Sequence, residues 1–155
     1  MENRDAILTF INSNTDVWTH GIHDLSHWQR VEIIGQFLAT HCGADPEVLR
    51  MFAYTHDLGR VADHGDDEHG HRSAKIVEEL YNRGVIKLSD KQYQQLIYAC
   101  YNHTTTFIDS DDITICACLD SDRLDLWRAD IIPDPKYLYT EIAKKPETIA
   151  WSKTL

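Results

Sequence analysis

The sequence predicts an all-α fold, arranged as one compact bundle of six to seven helices. Three observations predict it. Apolar residues recur with the helical period along most of the chain, capping residues mark where these segments start and stop, and no segment alternates with the two-residue period of a strand. The chain has 155 residues, the length of one ordinary domain, so we expect a single domain over residues 1–155.

Capping signals place the first three helices. The segment 24–42 starts at Asp24 and stops before Gly43, a residue type that favours the end of a helix. Asp45 is a good N-cap, and Pro46 suits the first helical position that follows it. The predicted ranges are 3–13, 24–42 and 45–59, the last of them ending at Gly59.

Similar signals place the remaining helices. Residues 89–92 read Ser-Asp-Lys-Gln, the pattern of a capping box, and Gly84 closes the helix before it. Pro135 opens a shorter segment near the end of the chain. The predicted ranges are 67–83, 89–103, 110 or 111 to 127, and a short seventh helix after Pro135.

Composition excludes several classes of function. The chain carries 15 Lys and Arg against 25 Asp and Glu, a net charge of −10. An acidic chain does not attract phosphate backbones or anionic lipid, so we expect neither a nucleic-acid polymer nor a membrane as a partner. No apolar run approaches the ~20 residues of a bilayer span, and the first residues lack the pattern of a signal peptide. We therefore expect a cytoplasmic protein whose four cysteines are reduced core residues.

Histidines and aspartates occupy the apolar faces of four predicted helices. Each of them lies three, four or seven residues from apolar neighbours on its own helix, and so faces the interior. Buried carboxylates are costly unless they are paired or bound to a metal. Imidazole and carboxylate ligands together suit iron, manganese, cobalt, nickel or zinc. The residues that predict such a metal centre are His27, His56, Asp57, His103 and Asp120.

Three motifs in this pattern resemble those of the HD-domain metal-dependent phosphohydrolases, in particular the small bacterial HD-domain hydrolases. His27 opens an H-x-x-R-V motif, and residues 54–60 read Tyr-Thr-His-Asp-Leu-Gly-Arg, similar to the apolar-HD-[IL]-G-[KR] helix end of the family. Residues 119–125 resemble its D-A-D-R-L-D run. A second His-Asp pair, at 23–24, resembles the start of the first motif. The resemblance covers about residues 20–128.

The resemblance implies an all-α HD domain with one or two divalent metal ions. Some HD-domain proteins hold a second ion with two further histidines, and helical phase favours His69 and His103 here, with Asp57 bridging the ions. An alternative is that these two histidines bind substrate phosphate beside a single ion. The metal is left open among Mn, Fe, Co, Ni, Zn and Mg. The ligands implied for the first ion are His27, His56, Asp57 and Asp120.

The implied activity is hydrolysis of a nucleotide or a small phosphate ester by a metal-activated water. Asp57 is expected to fix the metal and orient the water, and Arg60 and Arg123 to clamp phosphate oxygens. Asp122 and Asp125 are expected to orient Arg123 or a ligand histidine from the outer shell. The predicted catalytic residues are therefore Asp57, Arg60 and Arg123.

Two other functions stay open on the sequence. The same ligand set occurs in di-iron oxygenases with HD-like folds, and a metal site of this kind also serves in non-catalytic regulatory modules. A small phosphorylated substrate is the partner that the leading interpretation implies. A homodimer is a further possibility, because four tryptophans could form its interface; core packing is their alternative role. They are Trp18, Trp28, Trp127 and Trp151.

Overall fold

Helices make up all the regular secondary structure of residues 2–155, the part of the chain that the computed structural model describes. The predicted all-α fold is confirmed, because no strand occurs in this range. The α-helices are α1 (Glu2–Ser13), α2 (Leu25–Cys42), α3 (Pro46–Thr55), α4 (His69–Asn82), α5 (Asp90–Asn102), α6 (Ile113–Arg123) and α7 (Pro146–Ser152). Three short 3-10 helices lie at Gly21–His23, Leu126–Ala129 and Pro135–Tyr137.

Helix α3 lies at the centre of the bundle and packs against α1, α2, α5 and α6. Its sequence is apolar on nearly every side, and each residue from 51 to 59 is buried. Such a helix is stable only when neighbours cover it all round. The C-terminal end of α3 therefore delivers the His56-Asp57 pair to the interior of the protein.

The predicted caps form as expected. The Asp24 carboxylate accepts hydrogen bonds from the backbone of Ser26 and His27, which fixes His27 in the first turn of α2. Asp45 caps α3, and Pro46 occupies the first helical position. The capping box of α5 is complete. These local signals need no tertiary contacts, which is why the sequence alone predicts them.

Two helices end earlier than the sequence predicts. Helix α3 stops at Thr55 rather than Gly59, and residues 56–59 form a tight turn. A side chain at Gly59 would lie 2.5 Å from the backbone nitrogen of Ser73, so the turn approaches α4 too closely for any other residue. Helix α6 ends at Arg123, and the chain continues to Ala129 as a separate 3-10 helix.

The beginning of α4 and the last segment also differ from prediction. Helix α4 begins at His69 rather than at residue 67, and the segment after Pro135 is a three-residue 3-10 helix. The last α-helix, α7, begins at Pro146, a position that suits its first turn. The ranges predicted from the sequence include no helix that begins there.

Glycine 70 allows α4 and α5 to approach each other closely. A side chain at this position would lie 2.8 Å from the carbonyl oxygen of Cys100. This contact of backbone with backbone brings the start of α4 beside the end of α5, where His69 and His103 lie.

Most of the tryptophans considered for a dimer interface pack toward the core. Trp28 is fully buried, and Trp127 and Trp151 pack against the core while partly exposed. Core packing therefore accounts for three of the four rings. No helix within residues 2–155 has the length and apolar character needed to cross a bilayer.

Candidate metal centre

Four histidines from four different helices meet in the interior. His27 lies in α2, His56 follows α3, His69 begins α4, and His103 follows α5. All four are buried. The Nε2 atoms of His27 and His56 are 3.2 Å apart, and those of His69 and His103 are 2.9 Å apart. The structure thus sorts the predicted histidines into two pairs.

The carboxylate of Asp57 lies between the two pairs and presents one oxygen to each. Its Oδ1 is 3.1 Å from Nε2 of His69 and 3.6 Å from that of His103. Its Oδ2 is 3.4 Å from Nε2 of His56 and 3.7 Å from that of His27. Each histidine pair and Asp57 form a buried group whose ligand atoms all lie within 4.8 Å of one another.

The second nitrogen of three of these rings is held by the backbone. An Nδ1–H that donates to a carbonyl leaves the Nε2 of a neutral ring unprotonated, with its lone pair toward the centre. The three pairs are His56 with Phe52, His69 with Asp66, and His103 with Cys100.

The fourth ring, His27, is held by a side chain instead. Its Nδ1 lies 2.7 Å from Oδ2 of Asp125, and Arg30 grips the same carboxylate through Nε at 2.7 Å and Nη2 at 3.0 Å. Asp125 is buried. The outer-shell role predicted for Asp125 therefore corresponds to a specific contact, and Arg30 orients the aspartate rather than a substrate.

The charge of Asp57 is strongly favoured by its surroundings. Burial alone would raise the pKa of this carboxyl, but the imidazoles of His56, His103 and His69 outweigh it and hold the pKa well below its usual value. Arg60 also donates to Oδ1 at 2.9 Å. The other oxygen, Oδ2, is buried without a hydrogen-bond partner among the described residues.

This donor set fits a divalent metal ion. A buried acceptor without a partner costs on the order of 1–3 kcal/mol, and a cation held by Asp57 would remove that cost. Neutral imidazoles and carboxylates are the ligands that iron, manganese, cobalt, nickel and zinc accept. The residues therefore suit one ion beside each histidine pair.

The last predicted ligand, Asp120, lies elsewhere. Both of its oxygens accept hydrogen bonds of 2.8 Å, Oδ1 from the backbone of Tyr139 and Oδ2 from the backbone and hydroxyl of Thr140. Burial raises its pKa to about 6, against the lowering effect of these donors. The aspartate that faces the histidines is Asp122, whose Oδ1 lies 3.4 Å from Nε2 of His27 and 3.9 Å from Nε2 of His56. The placement of Asp120 at the centre is thus corrected.

Comparison with known proteins agrees with this geometry. The family model described as HD domain matches residues 24–127, more than half of the chain. The chain belongs to the HD domain family. No curated protein and no solved structure matches the chain significantly. HD domains are in general metal-dependent phosphohydrolases, and the two buried groups of His and Asp could hold the metal of such a protein.

The predicted phosphate clamps of this HD domain already have partners. Arg60 donates to Asp57 and, from Nη1, to the carbonyl of Ala62 at 3.2 Å. Arg123 donates to the carbonyl of Tyr137 at 2.6 Å and to that of Thr105 at 2.7 Å. Arg60 therefore lies directly beside the centre, whereas Arg123 ties two loops together next to it.

Two residues near the centre are not among the site residues that the sequence predicts. Arg128 donates to Oδ1 of Asp122 at 3.2 Å, and with the nearby histidines it lowers the pKa of that carboxyl in spite of burial. The position of Arg128 depends on the 3-10 turn after α6, which has no clear sequence signal. His23 is buried, with its ring centroid 5.9 Å from that of His27. Its position four residues before His27 is the signal that marks it.

His23 is held in place by an acidic side chain. Its Nδ1 lies 2.6 Å from Oδ1 of Asp63, and the backbone nitrogen of Ile22 donates to Oδ2 of the same carboxylate at 3.2 Å. Gly21 has a φ of 67° and lies so close to Asp63 that a side chain there would overlap the carboxylate. The glycine thus permits the contact between His23 and Asp63.

The Asp125 contact leads to a prediction about metal affinity. Replacement of Asp125 by Asn exchanges an anionic acceptor for a weaker one and loosens the His27 ring, so we expect metal affinity to fall by roughly 10- to 100-fold. Competition with a chelator measures this affinity. The exposed Asp16→Asn variant is the control, and an Asp125→Asn protein that binds metal as tightly as the control would contradict the prediction.

Proposed function

We propose that this HD domain is a metal-dependent phosphohydrolase that acts on a nucleotide or a small phosphate ester. The observation that carries the proposal is the single buried carboxylate, Asp57, that faces one histidine pair with each of its oxygens. The first ion would be held by His27, His56, Asp57 and Asp122, and the second by Asp57, His69 and His103. When bound, such ions polarise phosphoryl oxygens and lower the pKa of water toward neutrality.

The protein's own contribution is to fix this ligand set before substrate arrives. Each histidine is anchored through Nδ1, and Arg60 orients the Asp57 carboxylate through Oδ1. Ligands held in this way need little reorganisation during the reaction. A carboxylate shared by the two sets also keeps them at a constant separation.

Single phosphoryl groups suit this site better than polyphosphates. A triphosphate needs several free cations to offset its charge, whereas the arginines around the centre are engaged with protein acceptors. Arg60 binds Asp57, Arg72 binds Asp66, and Arg128 binds Asp122. The net charge of −10 adds further repulsion. We therefore favour a monoester as the substrate.

The position of His23 suits a proton donor to the leaving alcohol. Asp63 binds its Nδ1, and its Nε2 has no hydrogen-bond partner among residues 2–155. A buried imidazole oriented by a carboxylate is the arrangement that general acids and bases use. Because Nδ1–H donates to Asp63, a proton on Nε2 requires the imidazolium form, whose pKa is lowered by burial and raised by Asp57 and Asp63. We propose that this imidazolium passes its Nε2 proton to the ester oxygen as the bond to phosphorus breaks, which leaves the ring neutral with its remaining proton on Nδ1.

Leaving-group dependence tests this role. We expect His23→Gln to lower kcat by roughly 10²- to 10⁴-fold for an alkyl phosphate. The same variant should lose much less with p-nitrophenyl phosphate, whose leaving group departs without a proton. Metal content, measured beside the rates, should match that of the wild type. Equal losses on the two esters, or loss of the metal, would rule out proton donation by His23.

Phosphate release is the test of the proposed activity. The purified protein is assayed with Mn, Fe, Co, Ni, Zn and Mg against nucleoside mono-, di- and triphosphates and small monoesters. We expect metal-dependent release, fastest from monoesters, that the Asp57→Asn variant loses. A wild-type protein that holds metal and releases phosphate from none of these substrates would overturn the proposal.

A di-iron oxygenase is the second candidate. The observation that favours it is the set of four imidazoles with Asp57 between the two pairs, the ligand types that iron accepts. Bound iron, oxygen consumption and absence of phosphate release would favour this function. The non-catalytic regulatory role would require bound metal with neither reaction.

Compartment and assembly stay predictions. A cytoplasmic location is supported by four free cysteines, three of them buried. Size-exclusion chromatography with light scattering decides between a monomer and a homodimer with tryptophans in its interface.

A further inference from the structure

A groove of about 360 Å³ opens directly beside the candidate metal centre. Two of its lining residues, His103 and Asp122, belong to the two ligand sets described above. Its volume lies at the lower end of the range of small-molecule pockets, which is ~300–1,000 Å³. A ligand in this groove would therefore contact both the centre and the walls that lead away from it.

Most side chains of the walls that lead away from the centre are uncharged, and one is aromatic. The uncharged ones belong to the three threonines at 104–106, to Leu126 and to Tyr137. Phe107, the next residue after the threonines, is 65% exposed, and its ring centroid lies 5.8 Å from that of Tyr137. Two exposed rings side by side offer faces on which another planar ring can stack.

Arg123, which also lines the groove, connects its two walls. Arg123 donates to the carbonyls of Tyr137 and Thr105, and its guanidinium lies 5.3 Å from the ring centroid of Tyr139. Tyr139 in turn accepts a hydrogen bond at its hydroxyl from the backbone of Ile108. These contacts connect the loop after α5 to the segment that carries Tyr137, so the two exposed rings are held on fixed backbone.

We propose that this groove binds the alcohol portion of the substrate, and that this portion carries an aromatic or heteroaromatic ring. The ring stacks on Tyr137 and Phe107, while the hydroxyls of Thr104 and Thr106 bind polar groups on its edge. This inference rests on the proposed function, because the phosphoryl group must lie at the centre for the ring to reach these walls. It narrows the substrate from any small monoester to a ring-bearing one.

Binding of phosphonates tests the groove without turnover, because their carbon–phosphorus bond is not hydrolysed. Calorimetry compares phenylphosphonate with methylphosphonate on the Mn-loaded wild-type protein. We expect phenylphosphonate to bind at least tenfold more tightly. The Tyr137→Ala and Phe107→Ala variants should each lose up to about tenfold in affinity for phenylphosphonate, as expected for one aromatic contact. Their affinity for methylphosphonate should stay within about twofold of the wild type.

The Tyr101→Ala variant is the matched control, since Tyr101 is an exposed aromatic residue that stacks on His71 outside the groove. Circular dichroism confirms that each variant folds. Equal affinity for the two phosphonates, binding of neither, or retention of phenylphosphonate affinity in both groove variants would overturn the inference. Phosphate release is measured separately, so failure of the hydrolase proposal is distinguished from failure of the ring-binding groove.

Discussion

Replacement of Asp57 by Asn is expected to abolish metal-dependent phosphate release. The substitution keeps the size of the side chain but removes the charge that faces both histidine pairs. Replacement of an outer-shell residue typically lowers metal affinity or activity 10- to 100-fold. Replacement of a carboxylate shared by two ligand sets should lower them by more than ~100-fold. Phosphate release and metal content, measured on the same preparation, quantify the loss.

The exposed Asp67→Asn variant serves as the control for this experiment, because it also removes one negative charge but lies in the loop before α4. It should keep both the metal and the activity of the wild type. An Asp57→Asn protein with the metal content and rate of this control would show that the buried carboxylate is not a ligand.

Two aspartates that lie two residues apart in α6 are expected to differ in what their replacement by Asn changes. Asp122→Asn should weaken metal binding more than tenfold, because Oδ1 of Asp122 faces His27 and His56. Asp120→Asn should keep the metal but lower the free energy of unfolding by about 1–3 kcal/mol. The new amide group would face a backbone N–H that donates to Asp120 in the wild type.

Two measurements on each variant decide between these roles. Chelator competition gives metal affinity, and urea denaturation of the metal-free protein gives the free energy of unfolding. If Asp120→Asn lost the metal while Asp122→Asn kept it, the ligand would be the one that the sequence pattern predicted. Each variant is the matched control of the other, since both replace an Asp of α6 by Asn.

The sequence predicts most of the fold because its helix signals are local. Asp24, Asp45 and the capping box at 89–92 mark helix starts wherever the rest of the chain lies, and the structure has each of them. The ends are less predictable. The turn at 56–59 depends on the approach of Gly59 to α4, which is a tertiary contact.

Helical phase predicts the histidines of the site better than it predicts which aspartate of α6 faces them. α2 and α4 each have a distinct exposed face, so an inward histidine is easy to recognise on them. α6 is buried at every position from 114 to 121, so an apolar neighbourhood does not single out one inward face. Asp120 satisfies the apolar spacing yet bonds to Tyr139 and Thr140. That contact involves the segment before α7, whose position in the fold has no local sequence signal.

The contacts of the arginines also do not follow from the sequence. Their positions beside motif residues predict Arg60 and Arg123 as clamps, and the structure shows the protein acceptors that each of them binds. Phosphate binding by these two side chains stays a prediction. Arg128 reaches Asp122 only because the chain turns after α6. The partners of long flexible side chains depend on the tertiary structure around them. A short sequence motif does not contain that information.

The number of divalent ions bound per chain shows whether Asp57 serves two ligand sets. Elemental analysis of protein dialysed against excess Mn²⁺ gives this number. We predict two ions for the wild type and one for the His69→Ala/His103→Ala variant, which keeps His27, His56 and Asp57. No tightly bound ion in the wild type, or an unchanged number in the double variant, would show that the two histidine pairs do not share Asp57 as metal ligands.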